Sequence, residues 1–319
     1  MKYALLLLLL SLPVFAQGNP QVDRFIQHMV ETQGFDADEL RRVLGKAHRR
    51  QDIIDRMNKP AEKTLNWIQY RRIFLKDKRI RQGVAFWKRN RQALQKAQKV
   101  YGVPPRYVVA IIGVETFYGR IAGKDSVLDA LYTLAFHYPK RSKFFTAELE
   151  KYLILAREEK LDPAVPRGSY AGAMGLGQFM PSSFLAYAVD FDGDGKRDIW
   201  NNEADAIGSV ANYFTRHGWK KGLPVTTPAL SVPANAEKYV KAGLKPAFRL
   251  GELRKAGLKV DKGFADDLET ALIRLVTDKG PEYWAGFRNF YVITRYNHSE
   301  MYAMAVYQLG ERIHAEYEK

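Results

Sequence analysis

Pro104-Pro105-Arg106-Tyr107-Val108-Val109-Ala110-Ile111-Ile112-Gly113-Val114-Glu115-Thr116-Phe117-Tyr118-Gly119 is the segment on which the reading of the fold turns. The paired prolines open a helix, because proline's fixed φ and missing N–H suit the first helical position. From Tyr107 to Val114 the run is almost wholly apolar, which predicts a helix buried nearly all round. Gly119 is the natural residue to end it in a left-handed turn. Glu115 closes the apolar run. Desolvation and the negative end of the helix dipole both disfavour a charged carboxylate there. A carboxylic acid held protonated is what glycosidic cleavage needs, since the leaving oxygen must take up a proton. A buried glutamate paired with a base such as Arg120 is the structural alternative.

Outward from this segment the pattern stays helical. Val22, Phe25, Ile26, Met29 and Val30 recur at helical spacing, and Asp36 with Glu39 reads as an N-cap pair. Residues 60–100 are rich in Lys, Arg, Gln and Leu, and about four helices are expected before residue 101. Further helices are predicted near 125–137, 141–160 and 203–217. A last one carries Tyr302, Val306, Leu309 and Ile313 on one face. Pro224, Pro228, Pro233 and Pro246 punctuate short mixed segments, which predict a small β-containing insertion. The Phe, Tyr, Val and Ile of 287–294 suggest one more strand. The fold class is therefore mainly α.

Two further motifs carry chemistry. Gly168-Ser169-Tyr170-Ala171-Gly172-Ala173-Met174-Gly175-Leu176-Gly177-Gln178-Phe179-Met180-Pro181-Ser182-Ser183 has four glycines in its first ten residues, so a backbone can approach a ligand closely. It is not a phosphate loop, because no Gly-Lys-Ser/Thr follows. Ser169 and Gln178 can hydrogen-bond sugar hydroxyls or amides, and Tyr170 and Phe179 can stack on sugar rings. A glycine-packed start to a helix is the alternative. In Asp190-Phe191-Asp192-Gly193-Asp194-Gly195-Lys196-Arg197-Asp198, the oxygens, the glycine and the backbone carbonyl of Lys196 fall where an EF-hand-type Ca²⁺ loop needs them. The usual final glutamate is replaced by Asn201, so the last ligand must come from elsewhere, with Asp205 or Glu203 in reach.

The 319-residue chain carries a net charge of +15 and no cysteine. Disulfides, thiolate nucleophiles and Cys-ligated metals are excluded. The six histidines show no metal spacing. Lys2, the apolar run Leu5–Leu10 and Val14-Phe15-Ala16 before Gln17 read as a secretory signal peptide over residues 1–16. No later stretch approaches the ~18 apolar residues of a membrane helix, so no transmembrane helix is expected in the mature form. Export turns the basic charge away from nucleic acid and toward an anionic wall.

Taken in order, Gly113-Val114-Glu115-Thr116-Phe117-Tyr118-Gly119, Ala171 to Ser183, the acidic loop, Asp205-Ala206-Ile207-Gly208-Ser209-Val210-Ala211-Asn212-Tyr213 and Arg295-Tyr296-Asn297 resemble the membrane-bound lytic transglycosylase B family of bacteria, in its soluble form. The resemblance runs over most of the mature chain. It implies a lysozyme-like α core at 101–222, an N-terminal helical domain at 17–100, a small β insertion at 223–286, and a return to the core at 287–319. It implies cleavage of the MurNAc-β-1,4-GlcNAc bond of peptidoglycan with formation of a 1,6-anhydro-MurNAc end, and Glu115 as single acid then base. Ser169 then corresponds to the residue bonded to that carboxyl. Gln178, Phe179, Tyr213, Tyr296, Asn297 and, on less distinctive surroundings, Tyr70 correspond to groove residues. It also implies a structural Ca²⁺ held by Asp190, Asp192, Asp194, the Lys196 carbonyl and Asp205. Many relatives are lipoproteins, whereas this chain has no cysteine. The expectation is a free periplasmic enzyme, monomeric on its own or within a cell-wall complex. A hydrolytic muramidase of the same fold and a non-catalytic wall-binding protein are the competing readings. No second carboxylate is evident opposite Glu115, and an attack by the muramoyl 6-hydroxyl needs none.

Overall fold

The computed structural model describes residues 19–59 and 65–319, so the signal-peptide assignment at 1–16 lies outside the described residues. Two compact units meet at the Ala47–His48 bond. The first holds α1 (Pro20–Gln33) and α2 (Ala37–Leu44). Phe25, Ile26 and Met29 of α1 and Leu40 and Leu44 of α2 are buried. Gly34 ends α1 at φ 64°, and the Asp36 side chain accepts from Glu39 N at 2.8 Å, the N-cap pair expected from the sequence.

The second unit begins with α3 (Gln51–Asn58), α4 (Trp67–Phe74), α5 (Asp77–Arg89), α6 (Arg91–Tyr101) and α7 (Pro105–Thr116). Six helices thus precede residue 101 among the described residues, not the four expected. The reason is local. α5 and α6 are separated by Asn90 alone, and a one-residue joint leaves no turn signature. There follow β1 (Asp125–Ser126), α8 (Val127–His137), α9 (Ser142–Glu158), β2 (Arg167–Gly168), α10 (Pro181–Tyr187) and α11 (Glu203–Arg216). Next come β3 (Thr226–Pro228), α12 (Ala236–Val240), β4 (Phe248–Arg249), α13 (Leu250–Lys255), β5 (Glu269–Thr277), β6 (Gly280–Phe287), α14 (Arg288–Thr294) and α15 (Glu300–Tyr317).

α7 is the centre of the core. Residues 107–113 are all at most 3% exposed or fully buried, and α5, α6, α11 and α15 pack around the helix. The expected β-containing segment is a four-stranded antiparallel sheet of order β3-β6-β5-β4, with Leu272, Ala285 and Phe287 packed on Leu250, Leu253, Leu258 and Val260. The strand expected at 287–294 is instead α14. Asn289, Phe290, Val292 and Ile293 are buried, a spacing that fits one helix face and not alternation across a strand. Asn289 also donates to Lys220 O and Leu223 O, both at 2.8 Å, fixing that helix to the segment between α11 and β3. Here tertiary burial overrides the β propensity of the side chains.

Candidate active site

Glu115 sits one residue before the end of α7, half-buried where the helix emerges from the core. The helix does not run on to Gly119 as expected. It stops at Thr116, and Phe117 (φ 51°) and Tyr118 (φ 59°) take the left-handed conformation ahead of Gly119 (φ 83°). Side-chain-bearing residues in this region are strained by about 1–2 kcal/mol each. The surroundings hold them there. Tyr118 Oη donates to Arg79 O at 3.0 Å, and its ring lies against Gly113 and Gly83, where an added Cβ would stand 2.6 and 2.5 Å from Oη. Two glycines on adjacent helices thus make the slot for the turn that follows Glu115.

On the other side, Tyr302 of α15 donates from Oη to Glu115 Oε1 at 2.5 Å. Tyr302 is only 2% exposed, and burial, then the Glu115 charge, push its pKa well above the ordinary tyrosine value. It is therefore a permanent neutral donor. Tyr296, raised by the same two causes, stacks on Tyr302 with ring centroids 6.4 Å apart and donates to Gly177 O at 2.6 Å. Tyr70, 3% exposed, lies close enough for its charge to bear on Tyr302. The sequence reading missed Tyr302. In the sequence it stands only as part of the apolar face of the last helix, and nothing in that spacing distinguishes a core tyrosine from one aimed at a carboxylate.

The glycine-rich segment is a tight turn in which Met174 and Phe179 exchange backbone hydrogen bonds of 2.8 and 2.9 Å. It is clamped at three successive residues. Leu176 O accepts from Thr116 Oγ1 at 2.9 Å and Gly177 O from Tyr296, while Gln178 Nε2 donates to Ala122 O at 3.0 Å and Gly175 O at 2.9 Å. Gln178, itself at φ 51°, thus spends its amide hydrogens on the backbone, leaving Oε1 as its acceptor toward a ligand. Ser169 Oγ accepts from Ala171 N and Ala173 N at 3.2 and 3.0 Å, which leaves its hydroxyl hydrogen to donate. Phe179, expected to stack on a sugar, is only 3% exposed and packs on Tyr213 and Tyr296 at 5.9 and 6.0 Å. Tyr213, 7% exposed, donates to Arg295 O at 2.5 Å. Its ring stacks on His217 at 3.9 Å, and burial lowers the His217 pKa. Asn297 is exposed beside Tyr296. Glu115, Tyr302, Tyr296, Phe179, Tyr213 and Tyr70 therefore form one aromatic-walled assembly, with Ser169 and Gln178 on the loop beneath.

The acidic loop gathers carboxylates that could hold a metal ion. Carboxylate oxygens of Asp190, Asp192 and Asp194 lie within 4.8 Å of one another, all exposed. Backbone N–H groups of Gly195, Gly193 and Asp194 donate to Asp190 and hold its pKa below the usual range. Lys196 N donates to Asp194 Oδ1 at 2.9 Å. Asp205, fully buried at the start of α11, stands outside that trio. Its two oxygens accept from Phe191 N at 2.7 Å and Asp198 N at 2.8 Å, while burial raises its pKa. It ties the two ends of the loop together. Hard oxygen donors on a flexible loop suit Ca²⁺ better than Mg²⁺. The loop also reaches the glycine-rich turn, because Leu176 N donates to Ile199 O at 2.9 Å.

Comparison with known proteins agrees with this architecture. Residues 17–311 match the family described as Transglycosylase SLT domain. The chain is 45% identical over 306 residues to Membrane-bound lytic murein transglycosylase B of Escherichia coli (strain K12), covering 93% of this chain and 83% of that protein. Among solved structures, soluble lytic transglycosylase SltB1 from Pseudomonas aeruginosa is 50% identical with a TM-score of 0.87, over 94% of this chain and all of that one. Escherichia coli lytic transglycosylase Slt35 in complex with calcium is 44% identical with a TM-score of 0.84, over 95% of both chains. Pseudomonas aeruginosa SltB3 in complex with NAG-anhNAM-pentapeptide is 31% identical with a TM-score of 0.81, over 92% of this chain and 79% of that one. No described helix is long and apolar enough to cross a membrane. The match spans nearly the whole chain and the folds agree: the chain belongs to the SLT-domain family of lytic murein transglycosylases.

Proposed function

We propose that the protein cleaves the MurNAc-β-1,4-GlcNAc bond of peptidoglycan with formation of a 1,6-anhydro-MurNAc end, using Glu115 as its one acid and base. The observation that carries this reading is the 2.5 Å bond from the neutral Tyr302 hydroxyl to Glu115 Oε1. A carboxylic acid carries its proton on one oxygen. With Oε1 accepting from Tyr302, Oε2 is the oxygen to present that proton to the glycosidic oxygen. As the bond breaks, Glu115 becomes a carboxylate, and the Tyr302 donor strengthens in that state, which is the differential stabilisation catalysis needs. The carboxylate then takes the proton of the muramoyl 6-hydroxyl, which attacks the anomeric carbon and closes the anhydro ring. Because the attacking group is part of the substrate, its effective concentration is high and no water has to be held. Ser169, Gln178 and Asn297 supply polar contacts along the strand. Phe179 and Tyr213 shape the wall from behind, given their burial. Asp190, Asp192, Asp194 and the Lys196 carbonyl are the groups proposed to hold Ca²⁺, which when bound would offset the loop's negative charge; Asp205, whose two oxygens each accept one backbone N–H, is proposed to brace the loop and to add a ligand only through a remaining lone pair. The sequence features of residues 1–16 and the basic charge favour action in the periplasm on an anionic wall.

The test is product analysis of digested sacculi by mass spectrometry, wild type beside Glu115→Gln. Anhydro ends from the wild type and turnover reduced by at least about 10²-fold in the variant are expected. Reducing ends would make the protein a hydrolase, and near wild-type release by Glu115→Gln would remove the assignment of the acid.

A further inference from the structure

Thr116, next to Glu115, is fully buried, and its hydroxyl makes more contacts than a helical threonine needs. The bond from Oγ1 to Ile112 O, at 3.1 Å, is the ordinary one to the preceding turn. Two others are not local to the helix. Oγ1 also lies 2.9 Å from Leu176 O in the glycine-rich turn, so its single hydrogen is shared between that carbonyl and Ile112 O, the nearer being Leu176 O. Oγ1 accepts from Gly119 N at 3.0 Å, at the far side of the left-handed pair Phe117 and Tyr118. One oxygen thus joins the end of α7, the strained turn after it and the glycine-rich turn. Leu176 is in turn held from behind by its N–H bond to Ile199 O, so Leu176 O is a fixed point and not a mobile acceptor.

We infer that the Thr116 hydroxyl is a positioning group for Glu115: it sets the carboxyl against Tyr302 and the glycine-rich loop without touching substrate. The inference rests on the acid/base reading of Glu115. The backbone after Glu115 is strained at two consecutive residues, and a strained turn persists only where its surroundings over-determine it. Thr116 supplies two of those determinants, at Gly119 N and at Leu176 O. Replacing the hydroxyl by a methyl keeps the shape and the branching but leaves Leu176 O and Gly119 N without this partner. The turn then relaxes toward a more populated conformation, and the carboxyl moves with it. Displacement of a reacting group by ~1 Å is enough to lower turnover by roughly 10²-fold.

The experiment compares Thr116→Val, Thr116→Ser and Thr116→Ala with wild type on glycan strands, with kcat and KM normalised to folded protein. Thr133→Val is the control for stability. Thr133 is also fully buried in a helix, and its hydroxyl accepts from Arg50 N at 2.9 Å and donates to His48 O at 3.3 Å, in contacts that do not include Glu115 or the glycine-rich turn. Thr116→Val is expected to lower kcat roughly 10- to 100-fold with KM within about twofold of wild type. Thr116→Ser is expected to restore most of kcat, and Thr133→Val to keep it. If Thr116→Val does not fold, Thr116→Ala carries the same expectation. Wild-type kcat in the folded Val or Ala variant, or a Ser variant as impaired as Val, overturns the inference. So does a loss matched by Thr133→Val. Glu115→Gln run alongside separates the two failures. An inactive Gln variant with an unimpaired Val variant removes only the role of Thr116, whereas an active Gln variant removes the reading beneath it.

Discussion

Tyr302→Phe deletes a single oxygen, the one that donates to Glu115 Oε1 at 2.5 Å, and keeps the ring that stacks on Tyr296. A hydrogen bond to a charged group contributes about 1.5–3 kcal/mol. The bond is strongest when Glu115 is a carboxylate, which in the proposed mechanism forms as the leaving oxygen takes the proton, so on that reading most of the energy belongs to the transition state. At 1.36 kcal/mol per factor of ten, kcat should fall about 10- to 150-fold. In the proposed mechanism substrate meets the neutral acid, so KM should change by less than about threefold. The ring remains packed, and the lost bond should lower Tm by only a few degrees for a chain of this size. Steady-state release of anhydro-muropeptides, followed by liquid chromatography and mass spectrometry, reads kcat and KM separately. A Phe variant with kcat within about twofold of wild type, or one whose loss lies wholly in KM, would refute the reasoning.

Other expectations follow from the same geometry. After chelation, Ca²⁺ at about a hundredfold above its dissociation constant should stabilise the protein by about 2.7 kcal/mol. A thermal melt should show this as a rise in Tm, absent in Asp192→Asn/Asp194→Asn; an unmoved wild-type melt would count against the loop as a cation site. Burial raises the pKa of Tyr107, Tyr118, Tyr152, Tyr213, Tyr296 and Tyr302. In the unfolded chain these phenols ionise near 10. Below that pH both states are neutral and stability is unaffected. Above it the unfolded state loses protons that the folded state keeps, so each tyrosine lowers stability by about 1.36 kcal/mol per pH unit. Urea midpoints measured between about pH 9 and pH 11 should fall steeply past 10, and a flat series would contradict the burial of these phenols.

How far the sequence could be read depended on whether a residue's role is set by its neighbours along the chain. The α7 helix is explicit at Tyr107–Val114 because a solid apolar run allows no solvent face. The acidic loop is explicit because its acidic residues come from one continuous segment, and the Asp190, Asp192 and Asp194 oxygens do converge. Tyr302 was invisible because its meaning comes from a helix 187 residues away from Glu115 in sequence. Gln178 and Phe179 lie in the glycine-rich loop, but their contacts point inward to Ala122 O, Gly175 O and the Tyr213–Tyr296 pair, which no local pattern announces. The strand expected at 287–294 ends at Phe287 and gives way to α14 for the same reason. The β-branched and aromatic side chains of 288–294 carry strand propensity, and only the packing of Asn289 and Phe290 turns them into a helix.

The left-handed pair Phe117 and Tyr118 gives the chain an uneven landscape for adaptation. Glycine at position 117 would relieve backbone strain of about 1–2 kcal/mol, an improvement large enough for a screen for heat resistance to find. The same change would surrender the Phe117 ring, which lies 5.1 Å from the Arg79 guanidinium, and would loosen the turn on which Glu115 depends. Selection for robustness and selection for turnover therefore pull on the same residue in opposite directions. A lineage moving into a hotter habitat would have to gain its tolerance elsewhere, in the sheet or on the helical surface, and leave the junction beyond α7 as it is.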